Sequence, residues 1–341
     1  MKLRVIVALT AAALTLTACS ASKVEKADPE ASKRAGAKLV ERSPLPGLAL
    51  KNGLPNNPVF VVKIENTQGG VPQYGLDKAD LVFEELVEGG LTRLAAFYYS
   101  NLPAKVGHVR SMRASDIGIS SPVNGQIVAS GGASSTYRRM KSAGVTVFSE
   151  DYGAPGFSSD PAKFRPYNRL INLKTLARKA KTTEIRGNYL PWNTAATKTA
   201  PTPSDGATAV PAPKTATKAT VTFSSSTRTR WAFTGGTWQR ANTYAAAGQD
   251  FKADTLLILF ARVGDAGYRD PAGNKVPETI FEGSGRAIVL KGKTVTEATW
   301  TKKALNQQIT LAGKDGRQIG IDPGHVWIEL VPKDGGRASF N

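Results

Sequence analysis

The stretch Asp80-Leu-Val-Phe-Glu84-Glu85-Leu-Val-Glu88-Gly89-Gly90-Leu-Thr-Arg93 decides how this chain folds. β-Branched and aromatic residues run up to a Gly-Gly pair and resume through Leu91–Tyr99, the pattern of a β-hairpin. With Gly89-Gly90 as a two-residue loop, Glu88 lies opposite Leu91, Leu86 opposite Arg93 and Glu84 opposite Ala95. Facing residues share a side of the sheet, so this register flanks Arg93 with Glu84 and Glu88. It sends Glu85 to the other side, among Phe83, Val87, Leu94 and Ala96. A carboxyl buried there rises in pKa unless a cation meets it, as a general acid requires.

Outward from the hairpin, Val59–Glu65 reads as a strand. Gln126–Ser130, Gly131-Gly132, an amphipathic helix over Ser134–Ala143 with Ser134 as its cap, and Val145–Phe148 make a compact βαβ unit. Such a unit implies a parallel strand pair. Gly144 ends that helix, and another is expected from an Asn172 cap to about Lys181. Beyond Thr220 the pattern is strand and turn, with Thr255–Arg262, Ala287–Leu290, Thr294–Trp300 and Val326–Val331 the clearest runs.

The expected fold class is α+β: a mixed-sheet N-terminal domain with helices over 44–193, then a β-rich C-terminal domain over 221–335, sandwich or barrel-like. Residues 194–220 are Thr/Ala/Pro-rich without apolar periodicity, and read as either a linker or an inserted loop. Trp231, Trp238, Trp300 and Trp327 would fill a β-core if buried or stack on sugar rings if exposed together.

The N-terminus carries an address. Lys2 and Arg4 precede an apolar run from Val5 to Ala18 that is too short to span a bilayer. It closes on Leu16-Thr-Ala-Cys19, a lipobox. The signal peptide, 1–18, would be removed and the Cys19 thiol would take a diacylglycerol whose acyl chains, palmitate among them, hold the protein to the membrane. Residues 19–43 form a small, charged tether reaching roughly 25–30 Å if flexible. The expected location is the cell membrane, lipid-anchored, on its extracytoplasmic face.

Cys19 is the only cysteine among 341 residues, so disulfides and thiolate metal sites are excluded, and His108 and His325 alone make a histidine metal centre improbable on composition. No metal or cofactor is expected. Forty-five basic against 27 acidic residues give a net charge of +18, and +16 without Lys2 and Arg4. The basic residues are dispersed, which argues against nucleic acid and for anionic envelope polymers or another envelope protein as partner.

Two clusters carry the polar chemistry. Glu84, Glu85, Glu88 and Arg93 come from the hairpin; His108, Arg110, Arg113 and Asp116 follow shortly after. Arg110 and Arg113 are placed to converge on one anion or on the hairpin carboxylates, since guanidinium forks suit both. Glu85, Glu88 and His108 are the candidate catalytic groups. The Ser130–Ser135 glycine turn can cradle an anion but has no P-loop lysine, so it reads first as a helix start.

Several runs resemble a known family. Pro44-Leu-Pro-Gly47, Pro58-Val-Phe-Val-Val-Lys63-Ile-Glu-Asn66, Gln73-Tyr-Gly75 through Glu85, Leu86–Arg93, Val106-Gly-His108-Val-Arg110-Ser-Met-Arg113 and Asp322-Pro-Gly-His-Val-Trp327 look like the YerB-like lipoproteins. The likeness spans Pro44 to Pro332 except 194–220. It implies an α+β N-terminal domain, a β-rich C-terminal domain and extracytoplasmic anchoring, and it supplies no catalytic residues. One departure is Pro166-Tyr167-Asn168, where the family tends to Pro-His-Asn. The expected role is binding or structural at the outer face of the membrane. A cell-wall glycan hydrolase or transferase using the Glu/Arg cluster, with Glu85 as acid, is the alternative; capture of anionic polymers is the second.

Overall fold

The computed structural model describes residues 41–193 and 214–341, so Cys19, the signal peptide, most of the tether and 194–213 lie outside the described residues. In chain order the strands are β1 (Phe60–Glu65), β2 (Leu81–Leu86), β3 (Thr92–Tyr98), β4 (Val106–Gly107), β5 (Gln126–Ala129), β6 (Val147–Ser149), β7 (Phe157–Ser159), β8 (Arg169–Ile171), β9 (Lys214–Thr215) and β10 (Lys218–Thr222). They continue as β11 (Arg228–Thr234), β12 (Thr237–Arg240), β13 (Thr255–Arg269), β14 (Lys275–Ile280), β15 (Gly283–Lys291), β16 (Thr294–Lys302), β17 (Thr310–Ala312), β18 (Val326–Pro332) and β19 (Arg337–Phe340).

One twelve-stranded mixed sheet, in the order β17-β16-β15-β13-β18-β2-β3-β1-β5-β6 with β14 on β13 and β9 on β16, organises the molecule. The C-terminal half is β-rich, as expected, but its larger sheet is not separate from the N-terminal strands. Strand β18 pairs in parallel with β2, Val326 beside Leu81 and Leu330 beside Glu85, and joins both halves of the chain in one sheet. The reason is visible in β18 and in the neighbouring run Thr255–Ala261 of β13: both are buried on two faces, as parallel strands require. Strands β9 and β10 also occupy 214–222, so the described end of the Thr/Ala/Pro-rich stretch is strand.

The alternation of the strands builds two cores. Leu81, Phe83, Phe97 and Val61 point to one face, packing with Ile117, Met140, Tyr189 and Trp300. Val82, Leu94, Ile64 and Ile258 point to the other, covered by the four-stranded sheet β12-β11-β10-β19 through Val221, Trp231 and Trp238. All four expected tryptophans are buried, with Trp231 edge-on to Trp327 at 5.2 Å, so they fill the core and offer no exposed sugar platform.

The protein is mostly β, and the α-helices among the described residues are short. They cover Asp116–Ser120, Ser134–Ser142 and Leu173–Ala177. Strands β5 and β6 pair in parallel around the second helix, as the βαβ pattern predicts. That helix is capped by Ala133 without a side-chain bond, so Ser134 is its first residue and not its cap. The third has the Asn172 cap, which accepts the Thr175 N–H at 3.1 Å. It runs only to Ala177, shorter than the expected end near Lys181, with Leu173 and Leu176 as its buried residues.

Candidate functional site

The central hairpin has a register one residue away from the sequence expectation. Val87 donates its N–H to the Leu91 carbonyl at 2.8 Å, leaving a three-residue loop, Glu88-Gly89-Gly90, in which both glycines take positive φ near 70°. Leu86 thus faces Thr92, Glu85 faces Arg93 and Glu84 faces Leu94. A shift of one residue exchanges the two faces of a strand. Glu85, not Glu84, shares a side with Arg93.

On that side Lys63 of β1 lies at full burial and donates to Glu85 Oε1 and Asp116 Oδ1, each at 2.6 Å. Asp116 Oδ2 accepts the backbone N–H of Arg113 at 2.7 Å, so the buried lysine also sets the start of the Asp116–Ser120 helix. One cation serves two carboxylates, and Glu85 Oε2 finds no partner among the described residues. Burial pushes Glu85 up to about 7, opposed by Lys63 and reinforced by Asp116. It is sealed from solvent, which removes it as a general acid for a bulky substrate.

Glu88, in the loop, receives two guanidinium groups: Arg113 through Nε at 2.8 Å and through Nη2, and Arg93 at 3.4 Å. Burial would raise its carboxyl, but the Arg113 bonds and the Arg93 charge overcome that and hold it at about 2. Arg93, buried and beside Arg113, falls to about 10 and donates to the Ser111 carbonyl at 3.0 Å. Arg110 forms an ion pair with Glu65 at 2.7 Å and donates to the Pro166 carbonyl at 3.1 Å, with its guanidinium 4.9 Å from the Tyr167 ring centre.

These bonds hold Arg110 and Arg113 at the floor of a cleft of about 550 Å³. Arg165, Arg169 and Arg269 complete its cationic lining, with Glu150, Asp151 and Asp270 as acids and Ser111, Ser130 and Tyr268 as neutral donors. Glu150 bridges Arg165 at 2.8 Å and also Arg169. The Gly131-Gly132 turn forms one wall, packed so closely that a Cβ on Gly131 would stand 2.5 Å from Asp151 Oδ2. Of the expected cluster, Arg110 and Arg113 reach this cleft. Glu88 and Arg93 stand behind Arg113, Glu85 and Asp116 are interior, and Glu84 is on the opposite face of the sheet.

His108 is also interior. Its Nδ1 lies 3.0 Å from the Gly70 carbonyl and its Nε2 3.0 Å from Asp160 Oδ2, so it ties β4 to the 160–168 loop. Glu84 accepts from Thr92, Thr229 and Asn66 at 2.7 to 3.0 Å. It stands beside Glu329 of β18, which accepts the Trp231 indole N–H at 2.7 Å. Among the described residues no group of three or more His, Cys, Asp or Glu is gathered to hold a metal, and no helix is long and apolar enough to cross a membrane.

Sequence reasoning missed Lys63, Glu65 and Glu329 as parts of these networks. The first and last had a signal, an ionisable residue inside an otherwise apolar strand. Tyr268 and Arg269 had none, because the long β13 brings them to the cleft from more than 150 residues away in the chain.

A predominantly β protein with one mixed sheet shared by both halves and an arginine-lined cleft is the class the geometry defines. Residues 45–186 match the N-terminal domain, and 219–328 the C-terminal domain, of a family described as protein of unknown function (DUF3048). The chain belongs to that family. Its relatives include the Bacillus subtilis (strain 168) protein named "Putative lipoprotein YerB", 24% identical over 301 residues, which are 85% of this chain and 86% of that one. The crystal structure of YerB from Bacillus subtilis shares the fold, with a TM-score of 0.70 at 21% identity over 89% of this chain and 100% of that one.

Proposed function

We propose that this protein is an exported, lipid-anchored envelope protein that binds an anionic ligand in the Arg110/Arg113 cleft, at the outer face of the cytoplasmic membrane. The observation that carries the reading is the convergence of five arginines on one cleft, two of them fixed from behind by Glu65 and Glu88. Guanidinium groups held in place lose little freedom on binding, so they recognise carboxylate or phosphate better than free surface lysines do. The burial of Glu85 and the position of Glu84 on the opposite face take from the cleft the hairpin carboxyls on which the hydrolase or transferase alternative rests. The lipobox ending at Cys19 and the name of the Bacillus relative support anchoring.

Titration calorimetry of the purified protein with sodium phosphate at low salt tests the cleft. Saturable binding that Arg113→Gln and Arg169→Gln weaken is expected; equal binding by wild type and both variants would overturn the reading. Anchoring is tested separately by labelling cells with a palmitate analogue, where Cys19→Ser should lose the label.

A further inference from the structure

The cleft presents a contradiction for a simple anion site. Glu150, Asp151 and Asp270 line it together with the five arginines, and a bare phosphate brought among three carboxylates meets repulsion. Carboxylates in a binding cleft have a different use: they accept hydrogen bonds from the hydroxyls of a ligand. A ligand that carries an anionic group for the arginines and hydroxyls for the carboxylates satisfies both sets.

Two exposed aromatic residues that neighbour lining residues in the chain add a third element. Phe164 is 91% exposed and Tyr152 74% exposed, the two most exposed large apolar side chains of the described residues. Both sit next to the cleft lining, Phe164 beside Arg165 and Tyr152 beside Asp151. Their loops are joined by the Arg165–Glu150 ion pair at 2.8 Å. Tyr152 is braced edge-on by Tyr137 at 4.8 Å, so its ring is presented and not loose. Aromatic rings held open to water beside hydrogen-bonding groups match the apolar faces of pyranose rings.

We propose that the ligand of this cleft is an acidic saccharide, a pyranose chain bearing carboxylate or phosphate groups. This rests on the cleft being an anion site, as argued above. The anionic group meets Arg110 and Arg113, ring hydroxyls meet Glu150 and Asp151, and Tyr152 and Phe164 stack on rings. The alternative occupant, an anionic bilayer surface, fits less well. A concave site with three carboxylates repels a flat sheet of negative headgroups, while a single chain enters it.

The experiment is calorimetry on the full chain with four probes: tetragalacturonate, the neutral sugar maltotetraose, sodium phosphate, and vesicles containing phosphatidylglycerol. Tetragalacturonate is expected to bind more tightly than phosphate, and maltotetraose not measurably. Phe164→Ala and Tyr152→Ala, both at exposed positions, should each weaken tetragalacturonate binding by about fivefold to tenfold and leave phosphate binding unchanged. Arg113→Gln should weaken both anions. If phosphate binds in an Arg113-dependent way but the aromatic variants bind tetragalacturonate like wild type, the saccharide inference falls and the anion site stands. If neither anion binds, the anion site itself falls. Vesicle binding that the aromatic variants abolish, with no tetragalacturonate binding, would assign these rings to a membrane and overturn the proposal.

Discussion

Glu84 and Glu329 face each other across the parallel junction of β2 and β18, two fully buried carboxyl side chains side by side. Three donors converge on Glu84, which marks it as the ionised member. Glu329 Oε2 accepts from no donor among the described residues, which marks it as the atom carrying the shared proton toward Glu84. Like charges in such contact cannot both ionise at ordinary pH.

The pair makes stability fall with alkalinity. Burial raises both carboxyls, and the Glu84 charge raises Glu329 further. A folded-state pKa above the unfolded value of 4.5 means the contribution is full below that pH and lost as pH rises through the folded values. Glu329→Gln supplies an amide N–H in place of the proton. By scanning calorimetry it should match wild type near pH 5 and unfold at a higher temperature at pH 9. Parallel melting curves across that range would contradict the shared proton.

Among the described residues Lys63 is the sole cation paired with Glu85 and Asp116, so its removal strands two buried carboxyls. Lys63→Met is expected to cost about 3–5 kcal/mol in urea unfolding at pH 7. Adding Glu85→Gln to it should recover part of that loss. A double variant as unstable as the single one would mean that the lysine acts by packing alone.

Glu88 acts at the opposite end of the pH scale. Held at about 2 in the folded state, it contributes stability that is present above the unfolded value of 4.5 and is lost as pH falls toward 2. Glu88→Gln should flatten the acid limb of the stability curve between pH 5 and 2. It should also loosen Arg113 and weaken phosphate binding, an effect read by calorimetry at pH 7.

Lys302 is buried against Phe281, with its amine donating to the carbonyls of Ala304 at 3.1 Å and of Leu305. Burial brings it down to about 7. Its contribution is therefore full above the unfolded value of 10.5 and lost as pH falls through 7. Lys302→Met should remove this rise between pH 7 and 10, shown by urea midpoints that no longer climb relative to wild type.

Much of the fold was legible locally, because alternation and glycine turns report strands directly. Val59–Glu65, the hairpin, the βαβ unit and Val326–Val331 all stand where periodicity put them. The hairpin register was not legible: Gly89-Gly90 marks the turn, but whether Glu88 belongs to the loop or the strand is a three-dimensional choice. That single residue moved Glu85 beside Arg93. The junction of β18 with β2 was equally hidden, since a parallel pairing between residues some 245 apart leaves no local mark. For the site, Arg110 and Arg113 were readable as a pair of forks on one short segment. The carboxylates of the cleft and the residues of β13 were not, because tertiary packing alone gathers them.

The position of β18 in chain order has a consequence for how the molecule is made. This strand lies at the centre of the sheet, between β13 and β2, yet among the described strands of that sheet it is the last in chain order. Until residue 326 is available, β2 and β13 each hold a long apolar edge open, the kind of surface that pairs with strangers. A chain shortened by even its last 16 residues would therefore not lose a peripheral hairpin; it would lose the seam that turns two half-sheets into one.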